Sequence, residues 1–100
     1  MYTIESGGFR GIRLGRELET HLARHGISRN DAEDVLLGDH MLLEFQMERN
    51  EPRWVAVGAT RTGRILSIVF AIRGEAMRPI TGWAADKETA DMYVSEWGTE

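Results

Sequence analysis

Leu14, Leu18 and Leu22 recur four apart among Arg16, Glu17, Glu19, Thr20 and Arg24, a spacing that predicts an amphipathic helix from Leu14, stopped by Gly26. Ser28 follows as the N-cap of a second helix, with Asp31 at the capping-box position. Ala32, Val35 and Leu36 supply its apolar face and Gly38 its end. A helical hairpin over residues 14–38 results. Ahead of it, residues 1–13 hold Gly7, Gly8 and Gly11 without a sustained period, which predicts a flexible arm.

Past Gly38 the period shortens. Met41 to Met47 is apolar-rich with Glu44 and Gln46 alternating, and Asn50-Glu51-Pro52 reads as a loop. Trp54 to Thr60 is a second strand, turned by Thr62-Gly63 into Ile65 to Ile72. That third strand is apolar at successive positions, which places it centrally with both faces covered. Arg73-Gly74-Glu75 turns the chain into Met77 to Trp83, where Pro79 demands an edge or a bulge. Asp86 caps a last helix over residues 86–97, with Ala90, Tyr93, Val94 and Trp97 on one stripe. The expectation is a single α+β domain: two N-terminal helices, a four-stranded antiparallel meander over residues 41–83, and a C-terminal helix.

Composition adds limits. One hundred residues make one core, and 42% apolar with 28% charged residues is ordinary for a globular chain. The longest apolar run is too short for a bilayer. Met1 to Gly8 lacks a secretory signal pattern, and no cysteine is present for a disulfide or a thiolate site. A cytoplasmic, bacterial protein is the expectation. The net charge of −4 hides a division: residues 53–83 carry five arginines against Glu75 alone, while both flanks are acidic. Such a basic middle suits phosphate if its arginines share a surface.

Local motifs are sparse. Gly7-Gly8-Phe9-Arg10-Gly11 lacks the ending of a phosphate loop. His21 and His25 stand four apart with Glu17 one turn earlier, yet no third ligand accompanies them, so they read as a helix-surface pair. His25 also suits a helix C-terminus. Trp54 and Trp97 fit the core, whereas Trp83, between Gly82 and Ala84, fits base stacking or a partner contact.

Arg24-His25-Gly26-Ile27-Ser28, followed by Asp31-Ala32 and Val35-Leu36, resembles the BrnT family of bacterial toxins. Glu51-Pro52-Arg53 through Gly58, Gly63-Arg64-Ile65-Leu66 with Val69-Phe70, and Arg73-Gly74 with Arg78-Pro79-Ile80-Thr81 resemble that family's strands in order, over roughly residues 20–85. The resemblance implies a RelE-like fold and a metal-independent endoribonuclease, without cofactor, that cleaves RNA by 2′-hydroxyl attack on the adjacent phosphate. It implies neutralisation by a ribbon-helix-helix antitoxin, BrnA; a homodimer stays open. Carried over by position, Arg53, Arg64, Arg78 and Thr81 are the catalytic candidates; Arg61 of the basic segment and the exposed-looking Trp83 are added as interaction residues on their own chemistry. Arginine suits phosphate because its planar fork binds bidentately. The chain departs from the family at Gly82-Trp83, where Ala-Arg is usual, in its acidic last helix and in its N-terminal opening. Those departures keep two alternatives in play: an inactive interaction module, and a nucleic-acid binder that does not cut.

Overall fold

A computed structural model describes residues 11–97. The elements run α1 (Arg16–Arg24), α2 (Arg29–Leu37), β1 (His40–Glu48), β2 (Glu51–Ala59), β3 (Ile65–Arg73), β4 (Ala76–Ala84) and α3 (Lys87–Trp97). The four strands form one antiparallel sheet in the order β1-β2-β3-β4. The α+β architecture read from the sequence is the one observed.

Local chemistry explains the boundaries. Helix α1 begins two residues later than the leucine spacing suggests, because Gly15 is still extended. Leu14 is nonetheless buried beside Leu22 in the core. Gly26, at φ 76°, ends the hairpin's first arm in a conformation that disfavours a side chain. The capping box closes in both directions: the Asp31 amide donates to Ser28 Oγ at 3.0 Å, and the Ser28 amide donates to Asp31 Oδ2 at 3.0 Å. Asp86 caps α3 by accepting the Thr89 amide at 2.8 Å, a bond that holds its carboxyl below the usual range.

The sheet has two unlike faces. Leu66, Ile68 and Phe70 of β3 point to the α1–α2 hairpin and join Leu22, Ile27, Val35, Leu36, Ala56 and Met77 in the main core. Each of these side chains larger than alanine contributes roughly 1.5–3 kcal/mol by leaving water. On the opposite face, Tyr93 of α3 packs on Met41 and Val57, with Ala59 and Ile65 alongside, and its hydroxyl donates to the Asp39 carbonyl at 3.0 Å. Every residue from Leu66 to Ala71 is buried, as a strand covered on both faces requires.

Gly82 sits where β4 presses on the hairpin. A Cβ there would stand 2.9 Å from Ile27 Cδ1 and 2.9 Å from the Ser67 carbonyl oxygen, so the departure from alanine goes with close packing. Pro79 lies on the edge strand and beside a register shift, with Val69 paired to Thr81 and Phe70 to Pro79. Both conditions for proline are met.

Three expectations need correction. The loop expected at Asn50-Glu51-Pro52 is instead a two-residue turn of Arg49 and Asn50, both at positive φ (49° and 66°), so Glu51 and Pro52 begin β2. Trp97 is 40% exposed rather than core. Helix α3 meets the sheet chiefly over β2, through Tyr93, and its last turn projects past that contact. The arm expected over residues 1–13 falls mostly outside the described residues. Its last part, Gly11 to Arg13, is held against β4: the Arg13 amide donates to the Met77 carbonyl at 2.8 Å, and the Met77 amide to the Gly11 carbonyl at 3.1 Å.

Candidate functional site

The arginines of the basic middle divide between the two sides of the sheet. Glu51, Arg53, Arg73 and Arg78 come from three adjacent strands. Arg78 pairs with Ala71 in the β3–β4 register, and continuing the β2–β3 register sets Arg53 opposite the same Ala71. They therefore share the face away from the hairpin, with a small residue between them. Arg53 donates to Glu51 Oε1 from Nε at 3.2 Å and from Nη2 at 3.1 Å. Arg73 Nη2 and Arg78 Nη2 donate to Glu51 Oε2 at 3.1 and 2.8 Å. One carboxylate thus holds three guanidinium groups, leaving a local surplus of two positive charges among them. Desolvation pushes the Glu51 carboxyl up, but the hydrogen bonds and charges of Arg53 and Arg78 outweigh it and hold the group below its usual range.

Three residues further along β4, across the bulge, comes Thr81 and then Trp83, paired in register with Val69 and Ser67. Thr81 Oγ1 lies 3.0 Å from Nε2 of His21, which reaches the strand from α1. The His25 ring packs edge-on against His21 with centroids 4.9 Å apart. Trp83 is 45% exposed. Val55, Ser67 and Val69 in the middle of the face are buried, so its accessible groups lie along the rim.

Arg64 does not join them. Its Nη1 donates to the Gly26 carbonyl at 2.9 Å and to Asp31 Oδ2 at 3.3 Å, tying the β2–β3 turn to the helical hairpin. Arg61 is paired with Asp34 at 3.1 Å beside a groove of about 430 Å³ that Glu33 also lines. Carboxylates on that groove repel a phosphate. Of the residues proposed from the sequence, the structure therefore brings Arg53 and Arg78 together on Glu51, sets Thr81 against His21 of the hairpin and leaves Trp83 exposed further along β4, with Arg61 and Arg64 apart.

Glu51, Arg73 and His21 were not among the proposed site residues. The sequence pattern puts Glu51 in a loop and Arg73 in a turn. His21 and Thr81 are 60 positions apart, and no local pattern links them. Among the described residues no group of three His, Cys, Asp or Glu side chains could hold a metal ion, and no helix is long and apolar enough to cross a membrane.

Compared with known proteins, residues 17–88 match the family described as ribonuclease toxin, BrnT, of type II toxin-antitoxin system. The matched segment spans α1 to the start of α3 and includes every residue of the far-face cluster. No curated protein matches the chain.

Proposed function

Since the chain belongs to the BrnT family of type II toxin–antitoxin ribonuclease toxins, we propose that it is an endoribonuclease whose substrate strand crosses the far face of the sheet along β4. The carrying observation is the convergence of Arg53 and Arg78 on one spot of that face, with Thr81 and Trp83 following on the same strand. The 2′-hydroxyl oxygen attacks the adjacent phosphorus, the bond to the 5′-oxygen breaks, and a 2′,3′-cyclic phosphate and a 5′-hydroxyl are left. Guanidinium groups stabilise the charge that builds on the phosphoryl oxygens. His21, positioned by Thr81, is the group that carries a proton between the two sugar oxygens. Trp83 offers a flat apolar surface on which a base stacks.

In this reading Arg64 acts as a clamp between the turn and the hairpin. The antitoxin that the family implies is a ribbon-helix-helix protein of the BrnA type, and its contact surface includes Trp83 and the acidic α3, which exposes Met92, Val94 and Trp97. Expression of the chain in a bacterial cytoplasm should arrest growth and fragment RNA. Arg53→Ala/Arg78→Ala should abolish both without unfolding the protein. Growth arrest and cleavage that persist in that double variant would refute the assignment. Intact RNA bound by the wild-type chain would support the non-cleaving alternative.

A further inference from the structure

We infer that the Glu51 carboxylate occupies a phosphodiester subsite formed by Arg53, Arg73 and Arg78, and that an RNA phosphate binds there by displacing it. The inference rests on the RNA reading above and adds to it the identity of the subsite and its resident occupant.

A carboxylate and a phosphodiester each carry one negative charge on two accessible oxygens, so the same guanidinium fork fits both. Glu51 presents its two oxygens as such a ligand does: Oε1 takes two bonds from Arg53, and Oε2 takes one each from Arg73 and Arg78. Three guanidinium groups offer about five N–H donors each, and Glu51 uses few of them. Arg78 Nε is buried without a partner among the described residues, so the cluster holds donor capacity that one carboxylate leaves unmet.

The surroundings suit an exchange. Ala71 lies between Arg53 and Arg78 in the register, and Ala76 pairs with Arg73, so short side chains floor the cluster. Arg73 is half-exposed, and Glu51 directly follows the Arg49-Asn50 turn. Rotation about its side-chain bonds can carry the carboxylate toward solvent without moving a strand. The ion pairs it gives up are about three-quarters buried at Arg53 and Arg78 and more exposed at Arg73, so an incoming phosphate must replace them at the same guanidinium groups. Glu51 thereby keeps three like charges together in the free protein and competes with RNA for them. A purely structural counterion would hold the arginines in place, and its loss would weaken RNA binding; a resident occupant predicts the opposite sign.

The test is the affinity of the full chain for a fluorescent oligoribonucleotide, 2′-O-methylated so that it cannot be cleaved, measured by anisotropy between 50 and 200 mM salt. Glu51→Gln should tighten binding by about tenfold and steepen the fall of affinity with salt, since the phosphate no longer displaces a charge. Glu44→Gln, which removes a β1 carboxylate bonded among the described residues only to Gln46, should change it by less than about twofold. Unchanged or weaker binding by a folded Glu51→Gln protein would overturn the inference. Should that variant not fold, Glu51→Asp, which withdraws the carboxylate by one methylene, should tighten binding by a smaller factor, and weaker binding would overturn it equally. Inorganic pyrophosphate, followed through the arginine Nε–H resonances, separates the two levels. Tighter pyrophosphate binding by Glu51→Gln with no RNA binding by either protein would keep the anion subsite and refute the RNA reading; no gain toward either probe would refute the subsite.

Discussion

Arg61 and Arg64 each meet a carboxylate of α2, Asp34 and Asp31 respectively, whereas Arg53, Arg73 and Arg78 meet Glu51 together. The two groups come from the same basic stretch and use the same side chain, yet one is neutralised pair by pair and the other keeps a surplus. The lesson is about where charge is free to act. An arginine matched by a nearby acid ties elements together, and one of three sharing an acid retains donors for a phosphate. The sheet enforces the separation: residues in register on adjacent strands gather on one face, while the turn before β3 faces the hairpin.

That contrast can be broken most sharply by exchanging the groups for alanine. Arg53→Ala/Arg73→Ala/Arg78→Ala should lower RNA cleavage by about 10³-fold or more, in line with the loss of preorganised donors to a developing oxyanion. Arg61→Ala/Arg64→Ala should leave the rate within about threefold once corrected for folded fraction. Equal losses in both would erase the distinction.

A pH series sharpens it by separating the fold from the site. His40, the first residue of β1, is buried, with Nδ1 at 3.2 Å from the Gly38 carbonyl and Nε2 without a partner among the described residues. Desolvation by burial lowers its pKa from 6.5, against smaller upward contributions from backbone hydrogen bonds and Asp39. The unfolded chain therefore takes up a proton first as pH falls. Stability is fully present above about pH 6.5 and declines below it, toward the lower folded value. Urea unfolding at pH 7.5 and 5.5 should show this slope, and His40→Gln should flatten it. Glu51, with its pKa lowered, stays ionised throughout that range, so the arginine cluster should keep its charge while the fold loosens.

The smallest expected effect is on stability from Arg64→Ala alone. Its guanidinium is near half-exposed, so the loss should stay under about 1 kcal/mol in urea unfolding, with RNA affinity unchanged.

The hairpin caps, the strand order and the Pro79 irregularity were legible because each depends on neighbours in sequence: Ser28 with Asp31, Gly26 with its positive φ, a proline that cannot donate. Of the proposed site residues, Arg53 and Arg78 came from the family resemblance, and Arg53 stands one residue ahead of the strand that the pattern starts at Trp54. Glu51 was hidden because the chain turns in two residues at Arg49 and Asn50, and that tight turn moves Glu51 from a loop onto the sheet. Arg64 looked equivalent to Arg53 because a count of charges carries no face. Trp97 followed its helical stripe faithfully, but the stripe outruns the part of α3 that rests on the sheet.

The most direct measurement is the slope of log affinity against log salt for a non-cleavable oligoribonucleotide, taken for the wild-type chain and for the two arginine-group variants. Each single-strand phosphate contact contributes about 0.7 to that slope. Loss of Arg53, Arg73 and Arg78 should flatten it by at least about that amount, while loss of Arg61 and Arg64 should leave it where it was. A slope that flattens only in the second variant would contradict the account.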